Sequence, residues 1–237
     1  MSRGTKGEIR RQQVVIRELF TSIARRYDLV NRLLSLGQDQ RWRRRALAAA
    51  ALPPGGSLLD VATGTGDVAW RAARQDPATH VVGLDLTPAM VRYARTKGDP
   101  AAVSWTLGDG LALPFPEGTF DAVISVFMLR NVPDVPGALA EQQRVVRAGG
   151  RVVCLEMTWP RRFPMSWLFD LYFFGWAPLV GGLLTGEARA YRYLPRSVKR
   201  FMRPAALAGE LERAGLRIRE RQSLMLGTVT LLSAVKE

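Results

Sequence analysis

From residue 57 onward, short apolar runs alternate with stretches whose apolar positions recur every three or four residues. The runs predict strands over 57–62, 80–85, 102–107, 120–126 and 150–156, and the periodic stretches predict helices over 66–75, 88–96 and 134–147. That alternation is the pattern of an α/β fold with a doubly wound parallel sheet. A further helix is expected near 204–214, and the last segment reads as two strands about a turn at Gly227, a closing antiparallel hairpin. Before residue 52 the pattern is helical only. Ile9, Val14, Val15, Leu19, Phe20 and Ile23 mark one helix within 8–26, a second is expected over 41–51, and LPPGG then breaks the chain. The expected organisation is an N-terminal helical cap over 1–52 and a main domain over 53–237, with a helical insertion at about 160–203.

Within the insertion, FPMSWLFDLYFFGWAPLVGGLL (163–184) has the apolar length of a membrane span, about 20 residues. Asp170, Pro178, Gly181 and Gly182 interrupt it. It reads instead as a helix or helical hairpin that walls a pocket, with Trp167, Phe173, Phe174 and Trp176 placed to touch a membrane interface.

The stretch LLDVATGTGDVAW (58–70) carries the first chemistry: a strand ending near an acid, a glycine turn, then a helix. It is not a dinucleotide fingerprint, because Gly64 and Gly66 are followed by Asp67, Val68 and Ala69 where a third glycine belongs. Nor does a Lys-Ser/Thr pair mark a phosphate loop. Asp60 and Asp67 bracket the turn, and two carboxylates would repel a pyrophosphate but suit a cation. A plain tight turn is the simpler reading. Two more strand-end acids favour a ligand: Asp85, 21 residues beyond Gly64, stands where ribose hydroxyls are held, and Asp109, beside the Gly110 amide, stands where an adenine amino group would be read. A nucleoside with a positive charge is S-adenosylmethionine. The candidate cofactor residues are Asp60, Thr63, Gly64, Thr65, Gly66, Asp85, Leu86, Asp109, Gly110 and Val126.

Composition narrows the picture further. The single cysteine, Cys154, sits in an apolar strand, which excludes a disulfide framework and a cysteine zinc site, so no metal is expected. The start of the chain has no apolar segment behind its charges, and a cytoplasmic location is expected. Of the net +13, residues 1–50 carry +8, residues 51–160 carry −2 and residues 161–221 carry +7. The basic flanks are either a solvated face or an attraction to an anionic surface, lipid or nucleic acid. A base-flipping enzyme would need a base-holding motif after the fourth strand, and FMLRN is not one, so no nucleic-acid partner is expected.

Over nearly its whole length the chain resembles the ubiquinone and menaquinone biosynthesis C-methyltransferases. The resemblance is carried by FTSIARRYDLVNRLLSLGQDQRWRR, by LRNV after the fourth strand, by RVVRAGGRVVCLEM and by ARAYRYLPRSVKRF. Val30 and Asp39 depart from the family's usual Met and His. The resemblance implies a class I S-adenosylmethionine-dependent methyltransferase fold that methylates a ring carbon of a prenylated hydroquinone, most simply demethylmenaquinol. Another small aromatic is the alternative acceptor, and a homodimer and peripheral contact with an anionic membrane are further expectations.

Methyl transfer to a ring carbon requires an adjacent hydroxyl to lose its proton. The only histidine, His80, precedes the second strand, far from the strand ends where such sites lie. Arg130 and Asn131 after the fourth strand, Tyr27 and Asp28 in the cap, and Tyr191 and Tyr193 in the insertion are therefore the polar candidates. Arg130 would act through its positive charge; its competing reading is a structural ion pair with Asp134.

Overall fold

A computed structural model gives the fold and describes residues 6–99, 101–160, 165–176, 178 and 188–237. Strands β1 (Ser57–Val61), β2 (His80–Asp85), β3 (Ser104–Leu107), β4 (Phe120–Val126) and β5 (Val146–Met157) run parallel in the order β3-β2-β1-β4-β5. The expected closing hairpin is present, with β6 (Leu216–Leu224) at the edge and β7 (Val229–Lys236) inserted antiparallel between β5 and β6.

Parallel strands covered on both faces must be apolar at successive positions. In β1, Leu58 enters the core shared with α3 (Gln38–Ala49) and α4 (Asp67–Gln75), through Trp42, Leu47, Val68 and Trp70. Its neighbour Leu59 enters the opposite core, with Leu139 of α6 (Val135–Val145) and Leu207 and Leu211 of α9 (Pro204–Arg213). Each such leucine contributes about 1.5–3 kcal/mol on burial. The helix α5 (Pro88–Arg95) follows β2 as expected, Cys154 is fully buried, and His80 is exposed at the start of β2.

Three features differ from the sequence reading. A short helix α2 (Tyr27–Leu34) intervenes between α1 (Lys6–Ile23) and α3. On α1, Val14 and Val15 face solvent, while Leu19, Phe20 and Ile23 pack with Tyr27, Val30 and Leu34; the Ile9 side chain lies outside the described residues. In the insertion, α7 (Met165–Leu171) continues into a π-helical turn, Tyr172–Trp176, and α8 (Ala188–Arg200) follows. Phe173, expected at an interface, is buried: it and Phe169, ring centroids 4.2 Å apart, pack with Trp159 and Val198, leaving Trp167, Phe174 and Trp176 exposed. Gly181 and Gly182 lie outside the described residues. Among those described, no helix is long and apolar enough to cross a membrane.

Backbone strain is concentrated. Among the described residues, six non-glycine positions have a left-handed backbone: Leu36, Ala51, Ala62, Phe127, Met225 and Leu226. Each costs about 1–2 kcal/mol. All but Ala51 lie at the two clefts described next.

Candidate active site

The strand order reverses between β1 and β4, and such a switch point leaves a crevice beyond the strand C-termini. A cleft of about 770 Å³, counted with its open mouth and carrying two carboxylates on a largely apolar lining, occupies it. Gly64, Asp85, Leu86, Asp109, Gly110 and Val126, all expected there, line it. Asp85 ends β2 with its carboxylate pinned by the backbone N–H groups of Gly64 and Thr87, both at 2.8 Å. Burial nonetheless raises its pKa. Asp109 accepts the Leu111 N–H at 2.9 Å on one oxygen and the Gln13 side-chain amide at 2.6 Å on the other. Gln13, Ile16 and Phe20 bring α1 over the cleft, a wall the sequence reading did not foresee.

The remaining turn residues sit behind the cleft and hold it. Thr63 donates to Asp60 at 2.6 Å, and burial pushes the Asp60 carboxyl up to about 7. Gly66 is glycine because its φ is +79° and Trp105 and Trp70 occupy the space a side chain would need. Asp67, expected beside the cation, instead joins Lys97 at 2.8 Å, Gln40 at 3.1 Å and Arg43 at 3.8 Å. Its pKa is lowered: burial raises it, but Arg43 and Lys97 outweigh that. Asp28 is likewise not a free carboxylate. It accepts the Thr65 hydroxyl at 2.5 Å and pairs with Lys97, clamping α2 onto the glycine turn. Asp39 is buried in the same network against Arg43 and Ser35.

A second cleft, an apolar trough of about 1550 Å³ with its mouth, abuts the first, and Tyr27 and Phe127 line both. Its walls come from α2, α3, the insertion and the Met225–Thr228 turn, including Leu34, Trp42, Phe169, Phe173 and Leu194. The Tyr172 hydroxyl donates to the Leu34 carbonyl and ties the insertion to α2. Phe127 is left-handed at φ +58°, and its carbonyl accepts from Arg130 at 2.8 Å and Asn131 at 3.0 Å. The guanidiniums of Arg43 and Arg130 lie over its ring, 5.7 and 5.5 Å from the centroid.

Arg130 lines the trough and not the first cleft, and its ion pair is with Glu156 at 3.2 Å, not with Asp134. Asp134 caps α6 by accepting the Gly137 N–H. Glu156 is fully buried on β5, and burial pushes its carboxyl up to about 7 despite Arg130. With one guanidinium nitrogen committed to Phe127 and Glu156, the buried Arg130 Nε has no hydrogen-bond partner. Such an orphan donor costs stability unless a ligand accepts from it. Tyr193 on α8 donates to Asn131 Oδ1 at 3.2 Å, so these two candidates meet; the Tyr191 side chain lies outside the described residues. Glu156 was missed, although a lone acid in the apolar run RVVCLEM does signal a buried cationic partner. Among the described residues no cluster could hold a metal ion.

A model described as the ubiE/COQ5 methyltransferase family matches residues 6–236. The demethylmenaquinone methyltransferase of Thermus thermophilus is 45% identical over 203 residues, 85% of this chain and 92% of that protein. The ubiquinone/menaquinone biosynthesis C-methyltransferase UbiE of Geobacter sulfurreducens is 40% identical over 226 residues, 93% of this chain and 88% of that protein. Among solved structures, a SAM dependent methyltransferase from Aquifex aeolicus gives a TM-score of 0.59 at 17% identity, covering 89% of this chain and 98% of that one. The [4+2]-cyclase SpnF gives 0.64 at 20% identity, covering 83% and 81%. These structural likenesses speak to the class I methyltransferase fold alone, and a cyclase among them shows that the fold does not choose the reaction. The sequence likeness is far closer and runs through both clefts: the chain belongs to the ubiE/COQ5 methyltransferase family and is a methyltransferase.

Proposed function

We propose that the protein methylates a ring carbon of a reduced, prenylated quinone, converting demethylmenaquinol to menaquinol with S-adenosylmethionine as methyl donor. One observation carries this reading: a cleft that carries Asp85 and Asp109 and a larger apolar trough share Tyr27 and Phe127, and Arg130 lines the trough beside them. A charged nucleoside suits the first space and an isoprenoid tail the second. The name borne by the Thermus thermophilus relative supports the choice of acceptor.

The first cleft fits the donor. Asp85 offers carboxylate oxygen to ribose hydroxyls, and Asp109 already accepts an amide N–H of the kind an adenine amino group presents. When bound, S-adenosylmethionine supplies a methyl group on a sulfonium, an electrophile that needs no covalent intermediate. The protein must align the acceptor, exclude water and stabilise the ring as its hydroxyl ionises. The Arg130 guanidinium, which lines the trough, is the donor for that developing phenolate. Glu156 balances the guanidinium charge, so Arg130 acts as an aimed hydrogen bond and not as a free cation. The joined Asn131 and Tyr193 orient a hydroxyl or a water.

The test is direct. With a short-tailed demethylmenaquinol kept reduced, the purified protein should yield menaquinol carrying the new methyl on carbon, read by mass spectrometry with fragmentation. Equal methylation of the oxidised quinone, an O-methyl product, or equal turnover of an unprenylated hydroquinone would overturn the reading.

A further inference from the structure

The helix α2 separates the trough from another cleft. Asn31 and Leu34 line the trough, whereas Asp28, Leu29 and Arg32 line a space of about 1560 Å³, counted with its mouth, that α3, α4 and α5 complete. Six cations line it, Arg25, Arg32, Arg44, Arg71, Arg74 and Lys97, against two acids. Both acids are already matched: Lys97 pairs with Asp28 and, at 2.8 Å, with Asp67, which also meets Arg43 at 3.8 Å. Arg25, Arg32 and Arg44 make no hydrogen bond or ion pair with a described residue. Arg71 gives one guanidinium nitrogen to the Gln40 amide oxygen at 2.8 Å and pairs with no carboxylate among the described residues. Its pKa is lowered, by burial first and then by Arg44, Arg43 and Arg74 beside it, against the pull of Asp67.

Composition alone does not account for this gathering. Residues 51–160 carry −2 overall, yet three of their nine cations, Arg71, Arg74 and Lys97, meet the basic cap here. Two of the three are held by rings: the Arg74 guanidinium lies 5.9 Å from the centroid of Trp70, and the Lys97 ammonium 5.6 Å from that of Tyr93. Like charges held together repel, and a cleft focuses their field. An anion that enters relieves that repulsion.

We infer that this cleft binds a small multivalent phosphate anion, a free oligophosphate or the phosphoryl chain of a soluble metabolite, which bridges Arg32 of α2, Arg44 of α3 and Arg71 of α4, and that its occupancy tightens the first cleft. Guanidiniums on three helices can each grip a phosphoryl group through paired N–H donors. Phosphoryl groups suit the surplus better than carboxylates, because they concentrate several charges in one small volume. A second copy of this chain would set arginine against arginine, given a net charge of +13. The link to the first cleft runs through α2. Asp28 accepts the Thr65 hydroxyl at 2.5 Å within the glycine turn, and the Gly64 N–H of that turn holds Asp85. An anion that ties Arg32 to Arg44 and Arg71 holds α2, and with it the turn, in place.

The test is calorimetry at about 0.15 M salt with inorganic tripolyphosphate, which has no nucleoside to place in the first cleft. The wild-type protein should bind it more tightly than orthophosphate and melt higher in its presence. The double variant Arg32→Gln, Arg44→Gln should bind it about tenfold more weakly. That variant alone should melt no lower than the wild type, because it removes crowded like charge. A charge-matched control on the exposed side of β6, Arg219→Gln, Arg221→Gln, should bind as the wild type does. Absence of binding, or equal losses in the two double variants, overturns the site. So does displacement of tripolyphosphate at equal phosphate concentration by single-stranded RNA or by phosphatidylglycerol vesicles, which would give the cleft to a nucleic acid or a lipid headgroup. Affinity for S-adenosylhomocysteine should rise about fivefold at saturating tripolyphosphate, and not in the Arg32→Gln, Arg44→Gln variant; unchanged affinity in the wild type overturns the coupling. Anion binding is read with neither nucleoside nor quinone present, so failure of the proposed donor or acceptor leaves the site standing.

Discussion

The first cleft and the trough share two residues and are built by opposite means. The first cleft takes most of its lining from strand ends and the loops just beyond them, where residue position is set by sheet register. Its acids are anchored by backbone amides, as Asp85 is by Gly64 and Thr87. The trough is assembled from α2, α3, the insertion and the turn before β7, and apart from Arg130 its polar groups are few. A site that must recognise one invariant ligand belongs on rigid backbone; a site that must accept a long apolar chain needs only shape and apolar surface. Donor recognition and acceptor selection are thereby separable, and changes in the trough can retune the acceptor while the first cleft is untouched.

The strongest way to break this contrast is Asp85→Ala. The variant loses the acceptor proposed for the ribose and the anchor of two amides, so affinity for S-adenosylhomocysteine should fall by about 10²–10⁴, the worth of two charge-assisted hydrogen bonds. It should also melt earlier, because Gly64 and Thr87 lose their partner. Asp85→Asn, which keeps one accepting oxygen, should retain more of the stability and little of the affinity. Calorimetry showing wild-type affinity in either variant would mean that the donor binds elsewhere.

At the junction of the clefts, Arg130→Met should lower kcat by about 10²–10³ if its guanidinium meets the phenolate. It also strands Glu156, and breaking a buried pair costs about 3–5 kcal/mol. The pH dependence has a definite sign. The folded Glu156 carboxyl, at about 7, lies above its ordinary 4.5, so its contribution to stability is greatest in acid and declines as pH rises from 4.5 to about 7. Removing Arg130 takes away the charge and hydrogen bond that hold that value down. The deficit of the variant relative to wild type should therefore be small at about pH 5 and should open as pH rises through about 7. In the double variant Arg130→Met, Glu156→Gln, the melting temperature should recover while kcat stays low. Recovery of kcat together with stability would reduce Arg130 to a structural role.

How much of this was legible follows from the same contrast. Asp85 and Asp109 could be found because alternating strands and helices count out where each strand ends, and a strand-end acid is a local signal. The roles of Asp28 and Asp67 could not, since their partners Lys97 and Arg43 lie some 24 to 69 residues away and are met only through packing. Read by spacing alone, those acids looked like ligand groups. The left-handed Ala62, Phe127, Leu36 and Leu226 left no trace, because the usual mark of that conformation is glycine or asparagine. At Phe127 two hydrogen bonds to its carbonyl and two guanidiniums over its ring do the holding, and all are tertiary or turn contacts.

The smallest expected effect tests the wall of the cleft that α1 supplies. Gln13 on α1 donates to Asp109 at 2.6 Å, on the oxygen that an adenine amino group is proposed to use. If the two donors compete, ligand entry must break that bond, and Gln13→Ala should tighten S-adenosylhomocysteine binding by about three- to tenfold, the worth of one modest hydrogen bond. Stability should change little, because Ile16, Phe20 and the Tyr27 contact at 5.9 Å keep the apolar side of α1 in place. If α1 instead closes over the bound nucleoside and Gln13 turns to meet it, the same substitution weakens binding by a similar factor. The sign of the change in a calorimetric titration decides between a helix that competes for the site and one that completes it. Asp109→Asn is the control: an amide oxygen still accepts from Gln13, but without its charge it should weaken ligand binding in either case.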